Sequence, residues 1–374
     1  MNDPGFYIGI MSGTSSDAID VALISTHPKI ELIASHSTPI STELRQQIHQ
    51  LADPQKGSID QLGHLDHQLG NAFANAVLEL LSITHISPKL IIAIGSHGQT
   101  IRHRPSPSPH PFTIQIGDPN IIAEKTGITT VADFRRRDIA AGGQGAPLVP
   151  AFHRAVFSTE KIDRAIVNIG GMANITWLPQ SELESEVIGF DTGPGNVLLD
   201  AWIYQHLQQG FDRNGAWATE GKLNKPLLDL LLSDDFFHRP PPKSTGREMF
   251  NLSWLQHRLE SLNQMVAVVD VQRTLLELTA ITIANSINQL SPTHKEIFVC
   301  GGGVFNPLLM GRLEYLLAPN PVFSTAKLGI DPQWIEAMAF AWLAYRRMEN
   351  KPGNICNVTG AKHPQILGAL YFGS

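Results

Sequence analysis

Four apolar, β-rich runs in this 374-residue chain end in glycine turns, at residues 10–16, 167–174, 190–196 and 299–306. Glycine lets neighbouring backbone N–H groups point at one spot because no Cβ intervenes, and hydroxyl side chains nearby add further donors. One such turn alone is most simply a tight turn that needs a positive φ. Four of them, spread over both halves of the chain, favour the phosphates of a nucleotide as the ligand.

The turns do not follow two common nucleotide-binding patterns. None of them continues into the Gly-Lys-Ser/Thr of a P-loop, and none has G-x-G-x-x-G spacing directly after a strand. The sequence therefore disfavours a P-loop or a Rossmann fold.

Three aspartates lie in or beside these turns. Asp191 follows a predicted strand, so its carboxylate is expected at the end of that strand, next to a bound phosphate. The alternative is that Asp191 only caps the turn by accepting the N–H of Gly193. Asp17 and Asp20 could orient Mg²⁺ through water or hold the hairpin by hydrogen bonds, and both interpretations stay open. The ligands of any metal ion are therefore left unassigned.

Polar side chains suited to a sugar follow other predicted strands. Gln99 and Thr100 come after the buried strand Leu90–Ile94, where they could reach sugar hydroxyls. Arg135 opens a run of three arginines; such a run is usually a solvated face, but here a guanidinium could pair with a substrate carboxylate. Glu336 lies on a mostly apolar helical stripe, which favours a contact with substrate over a surface position.

The predicted elements form two similar halves, each of which opens with short strands in a meander. Apolar residues recur at spacings of three and four in the longest early helix. The predicted strands are Phe6–Met11, Ile19–Ser25, Ile30–Ser35, Leu90–Ile94, Thr113–Ile116, Thr129–Ala132, Arg164–Ile169, Ile175–Leu178, Val187–Phe190 and Glu296–Cys300. The predicted helices are Leu62–Leu81, Gly195–Gln208, Gln272–Asn288, one that begins at Asn306, and Pro332–Glu349.

Two further expectations concern the second half. The segment Lys222–Arg258, which contains Arg239-Pro-Pro-Pro242 and Lys243–Arg247, is expected to be poor in helix and to form an ordered loop at the cleft. The helix after Pro194 is expected to present the free N–H groups of its N-terminus to anionic oxygens.

Composition excludes several classes of function. The chain has 34 acidic and 28 basic side chains, a net charge of −6, which argues against a general nucleic-acid binder. No apolar run approaches the ~18 residues of a membrane span, and the first residues lack the pattern of a signal peptide. The two cysteines are too few for a disulfide framework. We therefore expect a cytoplasmic protein with no nucleic-acid or membrane partner.

The order of the glycine turns resembles that of the sugar-kinase, Hsp70 and actin superfamily. Longer motifs, at Met11–Asp20, Gly95–Arg102, Ala132–Leu148, Gly189–Asn196 and Trp334–Ala337, together resemble the anhydro-N-acetylmuramic acid kinase family over nearly the whole chain. The resemblance implies an α/β fold of two ribonuclease-H-like (actin-like ATPase) domains, with mixed sheets flanked by helices and a central cleft. It implies a first domain of residues 1–128 plus about 350–374 and a second domain of residues 129–349.

The same resemblance implies an ATP-dependent kinase that uses Mg²⁺. Such an enzyme hydrolytically opens 1,6-anhydro-N-acetylmuramic acid and phosphorylates O6, giving N-acetylmuramate 6-phosphate and ADP during peptidoglycan recycling. Asp191 would be the catalytic base, and Gln99, Thr100, Arg135 and Glu336 would bind the sugar, with one arginine of the 135–137 run on the lactate carboxylate. The positions implied for nucleotide binding are Ser12, Gly13, Thr14, Ser15, Ser16, Asp17, Ala18, Asp20, Gly170, Gly171, Gly193, Gly301, Gly302 and Asn306.

Two positions depart from the related patterns. Ala18 stands where the family usually has glycine, and Met11 stands where other sugar kinases have an acidic residue, which shifts the organisation of Mg²⁺ onto other carboxylates. Two alternatives stay open: another small-molecule kinase of the superfamily that acts on an open sugar or a carboxylate, and a non-enzymatic actin-like nucleotide switch. A homodimer is also left open.

Overall fold

Strands and helices alternate along the chain, as the computed structural model describes it for residues 5–13, 16–53, 55–105, 108–180, 187–262, 264–290 and 294–374. The strands are β1 (Phe6–Met11), β2 (Ala18–Ser25), β3 (Glu31–Pro39), β4 (Ile91–Ser96), β5 (Gln99–Arg104), β6 (Phe112–Ile116), β7 (Thr130–Ala132), β8 (Asp163–Ile169), β9 (Met172–Leu178), β10 (Ile188–Pro194), β11 (Lys295–Cys300), β12 (Val322–Ser324) and β13 (Ala369–Tyr371).

The helices cover the faces of two sheets. They are α1 (Thr42–Ala52), α2 (Ile59–Thr84), α3 (Pro119–Thr126), α4 (Arg136–Ala140), α5 (Val149–Phe157), α6 (Val197–Leu207), α7 (Ala216–Glu220), α8 (Lys225–Leu232), α9 (Asp235–His238), α10 (Leu252–Glu260), α11 (Val268–Leu290), α12 (Pro307–Leu317), α13 (Ile335–Met348) and α14 (Cys356–Thr359). Short 3₁₀ turns at Pro88–Leu90, Arg213–Gly215, Gly302–Phe305 and Thr325–Leu328 complete the list.

The two larger sheets are built on the same plan, and β5 and β6 pair in a separate two-stranded sheet. In the first, the strand order is β13-β7-β4-β1-β2-β3, and in the second it is β10-β9-β8-β11-β12. Each contains an antiparallel three-strand meander whose first strand, β1 or β8, then pairs in parallel with a later strand, β4 or β11. The prediction of two similar halves, each opened by a meander, is confirmed.

The predicted amphipathic helix is α2. Its N-terminus is fixed by reciprocal hydrogen bonds, because the Ser58 side chain accepts from the Gln61 N–H at 3.1 Å and the Gln61 side chain accepts from the Ser58 N–H at 3.0 Å. The buried side chains of α2, including Leu69 and Phe73, pack in one apolar cluster with Ile8 of β1. The apolar periodicity therefore identified the helix and the face that it buries.

The chain divides into two compact units, Met1–Val156 with Trp334–Ser374, and Phe157–Gln333. These bounds differ from the predicted ones, since residues 129–156 and 334–349 belong to the first unit. These residues belong to the first unit because of two contacts with its sheet. Strand β7 pairs with β4, with Thr130 opposite Ile94, and α13 packs on β1 and β4. The C-terminal strand β13 then pairs with β7.

The expectation that Lys222–Arg258 is poor in helix is wrong. Three helices, α8, α9 and α10, lie wholly or mainly in this segment. Asn224 starts α8 by accepting the Leu227 N–H at 2.9 Å, and the leucines that follow bury one face of that helix. The proline run after Arg239 interrupts helix only locally, so the non-helical part is the loop between α9 and α10.

Two glycines allow α13 to lie directly on the first sheet. A Cβ added at Gly9 would stand 1.8 Å from the Ala337 carbonyl oxygen, and one at Gly95 would stand 2.0 Å from the Phe340 carbonyl oxygen. Both contacts are with helix backbone, which cannot move aside as a flexible side chain could. The position of α13, and of the residues at its N-terminus, therefore depends on glycine at these two strand positions.

We expect Gly9→Ala to lower the stability of the first unit by at least the ~1–3 kcal/mol typical of overpacking. Gly63→Ala is the matched control. Gly63 lies on the exposed face of α2, and nothing lies within 4 Å of a Cβ added there. Alanine at this position should therefore be neutral or stabilise the protein by up to about 1 kcal/mol. Chemical denaturation followed by circular dichroism measures both. Equal midpoints for Gly9→Ala and the wild type would contradict the close packing of α13.

Candidate active site

Asp191 lies in the middle of β10, because the strand continues to Pro194 and does not end at Phe190 as predicted. The loop that follows α9 holds Asp191 in place. Its Oδ2 accepts the backbone N–H of Thr245 at 2.9 Å, and its own N–H donates to the Lys243 carbonyl at 3.0 Å. Lys243 is itself fixed, since its Nζ donates to the carbonyls of Phe236 and Phe237 at 3.1 and 3.3 Å. The loop thus fixes Asp191 by one hydrogen bond to its carboxylate and one from its backbone N–H.

The surroundings of Asp191 hold its pKa near neutrality. Burial raises the pKa to about 6, the Thr245 N–H opposes that rise, and the negative charge of exposed Glu248 adds to it. A carboxylate with a pKa close to the working pH is well suited to accept a proton in a reaction.

A row of polar side chains crosses the second sheet at this point. Asn168 of β8 lies opposite Asn174 of β9, which lies opposite Asp191 of β10. Their strand neighbours Val167 and Phe190 are in the apolar core, so the row faces the other side of the sheet. Neither asparagine was among the sequence predictions, because only the strand register reveals that they are aligned.

The three glycine turns of the second unit meet at one edge of its sheet. β8, β10 and β11 run in the same direction, so their carboxyl ends lie at the same edge. An added Cβ on Gly195 would stand 2.4 Å from the Gly170 carbonyl oxygen, and one on Gly301 would stand 2.8 Å from the Ile169 carbonyl oxygen. Gly170 and Gly171 themselves have no atom within 3.4 Å of an added Cβ among the described residues, so their turn is open on one side.

Other predicted glycine positions have local structural roles. Gly193 has a φ of 147°, and an added Cβ there would stand 2.7 Å from the Phe237 ring. Gly302 is not crowded, since the nearest atom to an added Cβ is the Asn196 Nδ2 at 3.8 Å. Asn306 caps α12 by accepting the Leu309 N–H at 3.2 Å, which gives its side chain a structural partner.

The expectation about the N-terminus of α6 needs correction. The first N–H groups, of Asn196 and Val197, donate to the carbonyls of Gly170 and Gly171 at 2.8 and 3.0 Å. These donors are therefore used to join two glycine turns, and they are not available to an anion.

In the first unit, Gln99 holds the turn after β1. The Ser12 hydroxyl donates to Gln99 Oε1 at 2.7 Å, and Gln99 Nε2 donates to the Gly13 carbonyl at 3.4 Å. Both side chains are buried. Gln99 was predicted to contact a sugar. In the structure it supports the turn that was predicted to bind phosphate. Thr14 and Ser15 lie outside the described residues.

Ser16 ends this turn in a left-handed conformation, with a φ of 53°. It is fully buried, and its Oγ has no hydrogen-bond partner within the described part of the chain. A buried hydroxyl without a partner is costly, and a ligand atom could satisfy it.

The two aspartates of the first hairpin have different surroundings. Asp17 forms an ion pair with Arg45 of α1 at 2.7 Å. Asp20, on β2 two residues after Ala18, accepts the Ser37 hydroxyl at 2.7 Å, and burial raises its pKa. No cluster of three or more His, Cys, Asp or Glu side chains that could hold a metal ion occurs in the described ranges.

Arg135 is buried and already bonded within the chain. Its Nε and one terminal nitrogen donate to His97 Nε2 at 3.2 and 2.8 Å, and its other terminal nitrogen donates to the Gly145 carbonyl at 2.7 Å. Burial lowers the Arg135 pKa to about 10, while Glu336 and Asp138 favour its charged form. Arg135 and Glu336, predicted separately, therefore lie close enough to interact, whereas Thr100 instead accepts from Gln115 at 3.1 Å.

Asp138 fixes the glycine-rich loop that follows α4. One carboxylate oxygen accepts the Gly145 N–H at 2.8 Å, and the other accepts from the side chains of Asn354 and Thr359 at 2.6 and 2.7 Å. An added Cβ at Gly143 would stand 2.2 Å from this carboxylate. The loop whose Gly145 carbonyl accepts from Arg135 is thus linked, through the Asp138 carboxylate, to Asn354 and Thr359 of the C-terminal segment.

This duplicated mixed-sheet topology, with glycine turns at the carboxyl ends of parallel strands, defines an α/β protein of two similarly built units. The family model for anhydro-N-acetylmuramic acid kinase matches residues 5–373. The chain belongs to this family and is a kinase.

Relatives similar over almost the full length carry the same description. Anhydro-N-acetylmuramic acid kinase of Saccharophagus degradans is 51% identical over 98% of this chain and 99% of its own, and that of Coxiella burnetii is 51% identical over 98% and 97%. Among solved structures, the (R)-2-hydroxyglutaryl-CoA dehydratase component A of Acidaminococcus fermentans is a distant likeness, with a TM-score of 0.49 and 12% identity over 92% of this chain and 99% of that one. None of the described helices is both long and apolar enough to span a membrane.

The pKa of Asp191 predicts the acidic side of the pH profile. If its ionised carboxylate is required, kcat/KM should fall as the pH drops through about 6, to about a tenth of the plateau at pH 5. Glu248→Gln removes a negative charge that raises this pKa and should shift the fall to lower pH. Glu314→Gln, which removes an equally exposed charge from α12, should not. Profiles that do not distinguish the two variants would contradict the assignment.

Proposed function

We propose that this kinase opens 1,6-anhydro-N-acetylmuramic acid with water and phosphorylates O6 from ATP, giving N-acetylmuramate 6-phosphate and ADP. Membership of the family over nearly the whole chain supports the substrate. The observation that carries the mechanism is the Asp191 carboxylate, fixed within β10 by Thr245 and Lys243 and buried enough to titrate near pH 6.

Asp191 acts as the general base in this proposal. One Asp191 oxygen accepts a proton from water as the water oxygen bonds to C1 of the sugar. The C1–O6 bond breaks, and its electron pair stays on O6. The O6 oxygen then takes the γ-phosphoryl group, and ADP leaves with the electrons of the broken P–O bond.

Each unit offers one candidate phosphate-binding turn: the turn after β1 in the first unit, and the open Gly170–Gly171 turn in the second. The buried Ser16 hydroxyl, which has no partner among the described residues, fits a role as donor to a phosphate oxygen. Mg²⁺ in such sites binds one or two carboxylates, water and substrate phosphates, so the absence of an acidic cluster in the described ranges is no obstacle, and Asp20 would hold it through water. When bound, Mg²⁺ offsets the charge of the phosphates.

The sugar side comprises Arg135 and Glu336, and Gln99 and Thr100 stand at the start of β5. Arg135 bonds His97 and the Gly145 carbonyl, so we assign to it the role of holding the loop that follows α4. Its positive charge balances that of Glu336. The Glu336 carboxylate in turn faces the sugar hydroxyls. Gln99 acts indirectly, through the turn at Ser12 and Gly13.

The biological role that follows is recycling of cell-wall sugars in the cytoplasm. A kinase for an open sugar is the competing function. In that case Asp191 would take a proton from a substrate hydroxyl, and no water would enter the product.

Mass spectrometry of product made in ¹⁸O-labelled water separates these functions. We expect one label, at C1 of N-acetylmuramate 6-phosphate, because water attacks C1 while O6 carries the phosphoryl group. The open sugar, incubated under the same conditions, controls for exchange at C1. Label that appears only in the phosphate would rule out the coupled reaction.

Asp191→Asn should lose about 10²–10⁴ in kcat, the usual contribution of a general base. The amide oxygen can still accept the Thr245 N–H, so the loop and the affinity for both substrates should be kept. Steady-state kinetics and calorimetric binding of anhydrosugar measure the two effects. Full turnover in a folded variant would assign the base to another residue.

A further inference from the structure

The first unit contains a cavity of about 520 Å³ that none of the proposed catalytic residues lines. Its charged lining consists of Arg136, Arg137, Arg347 and Asp133, and the segment from Ile366 to the start of β13 closes one side. Three positive charges face one negative charge in a space large enough for a small organic ligand.

The three guanidinium groups are held by the protein in a way that leaves donors free. Arg137 Nε donates to Gln365 Oε1 at 2.9 Å, Arg347 Nε donates to the Gly368 carbonyl at 2.9 Å, and Arg136 Nε lies 3.5 Å from Asp133. Among the described residues, the terminal nitrogens of Arg136 and Arg137 and one terminal nitrogen of Arg347 have no hydrogen-bond acceptor. Because Nε is anchored at 2.9 Å in Arg137 and Arg347, their free terminal nitrogens are pre-oriented, which suits two-point binding of phosphate or carboxylate. The Arg136 side chain is 60% exposed and adds positive charge without such an anchor.

A second, smaller cavity adjoins the first. It has a volume of about 100 Å³ and shares Asp133 and Arg136 with the larger one. Ser96 lines it and is buried, and its Oγ lacks a partner in the part of the chain that the structure describes. Asp133 has a φ of 58°, a strained value for a residue with a side chain, and such strain is often kept at binding sites.

We propose that these adjoining cavities bind a phosphate monoester of a sugar-sized, hydroxylated molecule beside the proposed sugar site, since His97 lines the smaller cavity and bonds Arg135. The terminal nitrogens of the three arginines would donate to the phosphate oxygens. Asp133 and Ser96 would bond the hydroxyl groups, since a carboxylate accepts from hydroxyls and repels a second anion. An inorganic anion would leave these acceptors and most of the 520 Å³ unused.

Binding of glucose 6-phosphate to the full chain tests this site. The titration is run by calorimetry with anhydrosugar and a non-hydrolysable ATP analogue present at saturation, so that the catalytic site is occupied. We expect binding that weakens about tenfold or more in Arg137→Ala/Arg347→Ala, since each lost charged hydrogen bond costs roughly a factor of ten. Arg104→Ala, which removes an exposed arginine of β5 outside the cavity, should bind as the wild type does.

Further arms keep the test decisive. Arg137→Lys retains the charge but not the paired donors, so it should bind glucose 6-phosphate less tightly than the wild type even if the double variant is unstable. Inorganic phosphate should bind more weakly than glucose 6-phosphate, and glucose should not bind measurably. Competition by anhydrosugar, equal affinity for phosphate and sugar phosphate, or no effect of Arg137→Lys would each overturn the proposal.

Discussion

The direction of the parallel strands is the constraint on which this structure depends. β1, β4 and β7 run together in one sheet, and β8, β10 and β11 run together in the other, so each sheet delivers several strand ends to one edge. The turn after β1, Arg135 and the turn at Gly301 follow such ends, and Asp191 lies three residues before the end of β10. Within each sheet, residues that are distant in sequence therefore become neighbours at one edge, although no local sequence signal pairs them.

Charged groups buried at these edges lose hydration, and hydrogen bonds from the protein have to offset that loss. Asp191 receives a backbone N–H from Thr245, Asp138 receives three donors, and Arg135 finds acceptors on His97 and Gly145. Where the balance is incomplete, as for Asp191, the pKa moves toward neutrality. Asp138, by contrast, uses its three hydrogen bonds to hold a loop in place.

How far the sequence predicts this arrangement depends on the range of the interaction. The meander, helix α2 and the position of Asp191 could be predicted because alternation, helical spacing and glycine turns are local signals. The partners of these residues could not: Thr245 is 54 positions from Asp191, and Asn354 is 216 positions from Asp138. Helices α8 to α10 were missed because nearby prolines suggested a long loop, although Asn224 and the leucines after it carried a helix signal. The short strand β13 forms only because β7 offers an edge, so nothing in its own residues predicts it.

The discontinuity of the first unit sets an order of events during synthesis. The second unit, Phe157–Gln333, is one continuous segment and has all its strands once that segment has been translated. The first unit is translated earlier but lacks α13 and β13 until the last segment, Trp334–Ser374, is made. Until then, the face of β1 and β4 at Gly9 and Gly95 has no covering helix, and β7 is an open edge. On the ribosome, the part of the chain that emerges first is therefore the part that completes its core last.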